Sequence, residues 1–183
     1  MEATKLLMEE HQVIEQVLNS LKVGVHRLEG DQAIHPEFFL LAADFIGGFA
    51  DGCHHKKEEG VLFPAMEAAG VLRNGGPIGV MLAEHEETRG LARTMRESAE
   101  RLKAGDASAK EDIRRSALAY IAVLQQHIHK ENNILFPMAD RILTEAQHKA
   151  VSDGFKRVEH EEAGEGVHQK YLALARALEA EAG

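Results

Sequence analysis

A chain of 183 residues with 44% apolar side chains can bury one core and needs no second domain. Lys and Arg number 21 against 30 Asp and Glu, a formal charge of -9 with no basic run, which excludes the electrostatic footprint of a nucleic-acid binder. No stretch reaches the roughly 18 apolar residues of a membrane span, the start MEATKLLMEEHQ is acidic where a secretory signal is basic, and the single Cys53 closes no internal disulfide, so the chain reads as cytoplasmic.

Four prolines, few aromatics and no Trp favour helices over a sheet sandwich. Leu7, Ile14, Leu18, Leu21, Val25 and Leu28 recur at helical spacing and predict a first helix over residues 4–29. Gly30 and Asp31 end it. Pro36 opens a second helix that runs to about Ala69. The glycine-rich break GVLRNGGP ends in Pro77, which starts a third helix reaching about Ala104. After AGDAS a fourth helix carries the stripe Ile113, Ala117, Tyr120, Leu124, Ile134 and Met138. Four long helices with short links predict an all-α, antiparallel up-down-up-down four-helix bundle over residues 1–143.

Residues 144–183 read as a C-terminal helical extension packed on that bundle. Its first helix starts at TEAQ, which has the form of a capping box. Val151, Phe155 and Val158 share one face, whereas Val167, Tyr171, Leu174 and Leu178 lie nearly opposite. A bend at Gly164 and Gly166 would reconcile the two faces by letting the tail wrap across the bundle.

The chain repeats itself. HHKKEEGVLFP from His54 and HIHKENNILFP from His127 align without a gap at an offset of 73, sharing His, Lys, Glu, Leu, Phe and Pro. MEEH ending at His11 recurs as LAEH ending at His85, an offset of 74. Each half therefore contributes one lone histidine and one His-x-x-x-Glu. Residues four apart in a helix share a face, so His54 with Glu58 and His127 with Glu131 present an imidazole beside a carboxylate. His11 falls between Leu7 and Ile14, and His85 between Met81 and Met95, both on apolar stripes.

A lone histidine on such a stripe is ordinarily a core residue bonded to a neighbour. Four histidines and two glutamates in one bundle are another matter, because burying two carboxylates is costly unless they are paired or bound to metal. Imidazole nitrogen and carboxylate oxygen without thiolate suit iron, manganese or zinc. His11, His54, Glu58, His85, His127 and Glu131 are thus the candidate ligands. Two shared carboxylates would serve two ions with two histidines each, and an oxygen bridge from water would leave one position open on each ion.

The pattern of a histidine, then His-x-x-x-Glu followed by Leu-Phe-Pro, then a histidine and a second such unit resembles the hemerythrin-like, HHE cation-binding family over about residues 5–140. The tail FKRVEHEEAGEGVHQKY resembles the C-terminal extension of some bacterial members. The resemblance implies two Fe ions, oxo- or hydroxo-bridged, that bind or react with a small diatomic or peroxide ligand such as dioxygen, nitric oxide or hydrogen peroxide. The alternative is an iron store or delivery protein without redox turnover. Whether the chain is an enzyme, a diiron oxidoreductase acting on peroxide or nitric oxide, stays open, as does its oligomeric state. Oxygen-carrying members use a further histidine on the third ligand helix, four residues from the first, where this chain has Arg89 or Met81. Two open positions would suit nitric oxide or peroxide better than simple oxygen carriage. Some relatives implicated in repairing iron centres carry a cysteine-bearing domain before the bundle, and none is expected here.

Other features read more plainly as structure. Cys53 fits a small core residue, with redox chemistry as the alternative. His55 and His129 flank the ligand pairs and are expected on other faces. Tyr120, two turns before His127, fits core packing or the wall of a ligand channel. Ala43, Gly47 and Ala50 continue the His54 face, and the Leu-Phe-Pro turns are expected to close one end of the site. Glu145 and His148 make one Glu-x-x-His, half of what a ferritin-like site needs. No His-Glu-x-x-His occurs, which excludes a zincin protease. In the tail, Glu159 or Glu162 is the candidate for a further ligand or a proton donor, against the plainer reading of a solvated acidic helix.

Overall fold

The computed structural model describes residues 2–30, 34–162 and 166–183, with residues 2, 161 and 162 described by backbone alone. The apolar stripe of the first segment is buried as its spacing requires, and it drives one unbroken helix, α1, over Glu2–Glu29. The second segment opens at Pro36 and changes its winding four times: α2 (Pro36–Phe45), a π segment (Ile46–His55), an α step at Lys56 and Lys57, a second π segment (Glu58–Leu62) and α3 (Phe63–Ala68). Next come α4 (Pro77–Lys103) and α5 (Ala109–Lys130), the latter continuing through a π segment (Glu131–Leu135) into α6 (Phe136–Ile142). These four rods form an antiparallel ring in which each packs on its neighbours in sequence and α1 closes onto α5. No strand occurs among the described residues.

A π turn takes in one residue more than an α turn, so every side chain beyond it rotates relative to α spacing. Three expectations change for that reason. Ile134, placed on the buried stripe, is 55% exposed, and Leu135, Phe136 and Ala139 face the core in its stead. Gly47 is exposed while Ala43 and Ala50 are buried, so the small-residue face above His54 does not run straight. The Leu-Phe-Pro motifs are not turns: Pro64 and Pro137 each stand at the start of an α segment that resumes the rod, where a missing N–H costs least.

Two apolar clusters fill the bundle. One gathers the C-terminal two thirds of α1 with Phe38, Phe39, Phe45, Phe49, Met95, Tyr120 and Leu124. The other gathers Leu7, Leu62, Phe63, Met66, Met81, Leu135 and Phe136 at the opposite end. The polar residues of the repeat lie between them.

The C-terminal helices use both clusters, which explains the two opposed faces of the tail. α7 (Glu145–Arg157) begins at Thr144 with the capping box expected from TEAQ, and seats Val151 and Phe155 in the second cluster. α8 (Val167–Ala182) seats Ala175 and Leu178 in the first, with Tyr171 and Leu174 packed against it. A π segment (Val158–Glu162) leaves α7 between them, and Gly166 takes the left-handed conformation at φ 83° that lets the chain turn. Gly164, the other glycine expected at the bend, lies outside the described residues.

The seat of α8 depends on Gly48, where a Cβ would stand 1.6 Å from Tyr171 Oη and 2.6 Å from its Cε1. Gly48→Ala is therefore expected to displace the ring and lower stability by about 1–3 kcal/mol. Urea denaturation checks this, and an unchanged midpoint would mean that Tyr171 repacks without cost.

Candidate metal centre

The six expected residues come together in the polar layer, each no more than 1% exposed. A seventh joins them. His55, expected on another face, is 2% exposed and its ring stacks on His85 at 3.8 Å. In an α-helix adjacent side chains diverge by about 100°. The π segment ending at His55 narrows that divergence, so His54 and His55 both face inward.

Ligand-capable atoms form two groups, each with its atoms within 4.8 Å of one another: His11, His54, Glu58 and Glu131, and His55, Glu58, His85 and His127. Glu58 is common to both, and Glu131 of the first group also reaches His127 of the second. Glu58 places one oxygen 3.5 Å from His54 Nε2 and the other 3.5 Å from His85 Nε2. Glu131 places its oxygens 3.2 Å from His11 Nε2 and 3.2 Å from His127 Nε2.

Every histidine turns its Nδ1 outward to an oxygen acceptor: His11 to Asn132 at 2.8 Å, His54 to Glu10 at 3.0 Å, His55 to Asp51 at 3.4 Å, His85 to Glu59 at 2.6 Å and His127 to Glu84 at 2.9 Å. A carboxylate only accepts, so each Nδ1 it faces carries the proton and Nε2 is left to face the interior. The Nε2 atoms of His11, His54 and His55 and all four oxygens of Glu58 and Glu131 are buried without a hydrogen-bond partner. His85 and His127 point their Nε2 atoms at each other across 3.1 Å. Such a convergence of buried acceptors demands cations or protons between them.

Titration follows from the crowding. Burial and the neighbouring Glu131 push the Glu58 carboxyl well above its ordinary range. Burial, helped by His11, lowers His54 to about 4, and burial lowers His55 to about 3. His127 goes the other way: burial opposes its charge, but Glu131 and Glu84 raise it to about 9. Protons on Glu58 and His127 thus do in the metal-free protein what cations would do, and ligands of this kind release protons as metal binds.

The internal repeat extends beyond the candidate ligands. Glu10, just before His11, accepts from His54 and from Lys57; Glu84, just before His85, accepts from His127 and from Lys130. Glu59 holds His85 from the next rod as Asn132 holds His11. Phe136 stacks on His11 at 5.5 Å and Phe63 on His85 at 6.0 Å, so the expected closing role of these phenylalanines takes the form of a ring against a histidine. The shared Lys and the paired Glu-His dipeptides were signals of this outer layer that the sequence reading left unused.

Symmetry breaks at His55, whose counterpart in the second copy is Ile128. Arg89, standing where a further histidine is sought, bonds Asp51 at 2.7 Å and Glu59 at 2.7 Å, the carboxylates that hold His55 and His85. Against the upward pull of burial, the histidines and Arg89 hold Asp51 and Glu59 each at about 2. His129 is exposed as expected. Cys53 is buried, and burial pushes its thiol upward. The Tyr120 hydroxyl is buried in the first apolar cluster without a hydrogen-bond partner. Glu159 belongs to neither group and bonds Lys57, while the Glu162 side chain lies outside the described residues.

Residues 2–139 match the hemerythrin HHE cation binding domain. An uncharacterized protein of Mycobacterium tuberculosis strain H37Rv is 25% identical over 166 residues, covering 91% of this chain and 64% of its own length. The iron-sulfur cluster repair protein YtfE of Yersinia pseudotuberculosis is 32% identical over 133 residues, 71% of this chain and 58% of the relative. YtfE of Musicola paradisiaca is 33% identical over 90 residues, 48% of this chain and 40% of the relative. The chain thus spans less than two thirds of the length of these relatives. No solved structure matches it. With the repeat, the buried His and Glu cluster and the match over three quarters of its length, the chain belongs to the hemerythrin HHE cation-binding family.

Proposed function

We propose that the chain holds two iron ions and uses them to bind or react with a small ligand such as dioxygen, nitric oxide or hydrogen peroxide. The observation that carries this reading is the set of five inward Nε2 atoms and four carboxylate oxygens, buried and without protein partners sufficient to satisfy them. The donors fit: nitrogen and carboxylate oxygen without thiolate suit iron, and the outward Nδ1 bonds supply the outer support such ligands need. His55, His85 and His127 would hold one ion, His11 and His54 the other, with Glu58 and Glu131 shared. Iron so held supplies electrons through its two common oxidation states.

His55 changes the expected stoichiometry of open positions. With seven protein ligands the three-histidine side would offer its ion one more donor than the two-histidine side, so the room for a small ligand would lie beside His11 and His54. The second reading, a store or delivery protein, is less well supported, because all seven candidate ligands are nearly inaccessible and the five histidines are held from behind. Iron-sulfur cluster repair, the role in the printed name of the YtfE relatives, is compatible with either reading. Metal analysis joined to absorption spectra with and without nitric oxide tests the proposal: two irons per chain and a spectral change saturating at one nitric oxide per chain are expected. Absence of iron from protein made in iron-replete cells would sink it.

A further inference from the structure

Lys57 is completely buried, and a buried ammonium is tolerable only when anions neutralise it. It has two. Its Nζ bonds Glu10 from α1 and, at 2.5 Å, Glu159 from the π segment that joins α7 to the turn before α8. Glu10 in turn accepts from His54 Nδ1, so an unbroken line of hydrogen bonds runs from the C-terminal segment to a histidine of the centre. The pseudo-equivalent Lys130 bonds Glu84 and no carboxylate beyond it among the described residues. The two halves of the centre are therefore supported differently, and the added support comes from outside the residues that match the family.

Glu159 reaches this place because α7 and α8 seat on opposite apolar clusters, which obliges the chain between them to pass the polar layer. His168, at the start of α8, offers a nitrogen within 4.8 Å of ligand-capable oxygens of Glu10 and Glu159, so both sides of the turn converge there. Glu159 also borders a cavity of about 340 Å³ whose wall carries Lys5, Glu9 and Lys156, yet the cation it bonds is Lys57.

We propose that Glu159 is a positioning residue for the two-histidine half of the centre, acting through Lys57 and Glu10 on His54. This rests on the metal-centre reading above. The physical cause is competition for one cation. With Glu159 present, Lys57 divides its hydrogen bonds between two carboxylates and leaves Glu10 a strong acceptor for the His54 N–H, which keeps that imidazole oriented and basic. Without it, Lys57 turns wholly to Glu10, which weakens the bond to His54 and loosens the ligand.

The test measures release of iron from the full chain to an excess of a ferrous chelator. In Glu159→Gln, one of the two ions is expected to leave about 10-fold faster or more, the size of effect that loss of an outer-shell partner gives, while the other keeps its parental rate. Lys57→Met takes the competing cation away altogether, so by the same cause that ion is expected to leave at the parental rate or more slowly, and Lys130→Met to act likewise on the other ion. The absorption spectrum with nitric oxide should shift in Glu159→Gln and not in Lys130→Met. Parental rates for both ions in Glu159→Gln would overturn the proposal. So would equal acceleration of both ions with faster amide exchange throughout α7 and α8, which marks general loosening. Glu159→Gln is partly exposed and nearly isosteric, so it decides the matter even if Lys57→Met fails to fold. A parent that takes up no iron would sink the metal-centre reading as well; a parent with two irons and an indifferent variant sinks this inference alone.

Discussion

The Glu58→Gln protein is expected to lose both metal ions while its metal-free form becomes more stable. Glu58 is the carboxylate common to both ligand groups, and a neutral amide cannot supply two anionic oxygens. Bound iron should fall well below two per chain. The gain in the metal-free form has a separate cause. Burial first and Glu131 second raise the folded carboxyl well above its ordinary value of 4.5, so the folded metal-free protein keeps a proton that the unfolded chain releases above that pH. The folded state then binds more protons than the unfolded one, and stability falls as pH rises from that value towards the folded pKa. Glutamine removes this dependence. Near neutral pH the variant should exceed the metal-free parent by roughly 1–3 kcal/mol, the cost of a buried unsatisfied group. Urea denaturation of both metal-free proteins at pH 5 and pH 8 checks it: the gap should widen at the higher pH, and equal gaps would mean that Glu58 is satisfied in the folded protein without metal.

His55→Ile should leave a folded protein that holds one iron tightly. Isoleucine is what the second copy of the repeat carries at this position, as Ile128, and it is buried there. The substitution removes a single donor from the three-histidine side and leaves His11, His54, Glu58 and Glu131 as they are. Affinity for the ion on that side should fall by more than the ~10–100-fold expected for an outer-shell change. Arg89→Leu belongs to that smaller class, since it touches only Asp51 and Glu59 behind the ligands. Titration of metal-free protein with ferrous iron distinguishes them: one tight site in His55→Ile, two sites of unequal strength in Arg89→Leu. Two unaltered tight sites in His55→Ile would make His55 a plain core imidazole and restore the six-ligand arrangement.

Periodicity alone was enough to predict the bundle, because three-and-four spacing of apolar residues survives any detail of packing. That the six residues of the repeat come together was legible for a related reason: each interrupts an apolar stripe, and two offsets agree within one residue. The capping box at Thr144 needed only local chemistry. His55 was not legible, because reading faces at 100° per residue assumes an α-helix, and here the helix widens into π turns just where it meets the centre. Ile134 and Gly47 were misplaced by the same assumption.

The sequence by itself determined the helices, their order, the twofold repeat and the kind of polar group buried between the rods, since these depend on neighbours close along the chain. The tertiary structure alone decided which histidines share a group, that Arg89 serves the three-histidine side, and that Glu159 meets Lys57 across 102 residues of chain. Such pairings depend on how distant segments seat against two separate apolar clusters, and no local spacing encodes that.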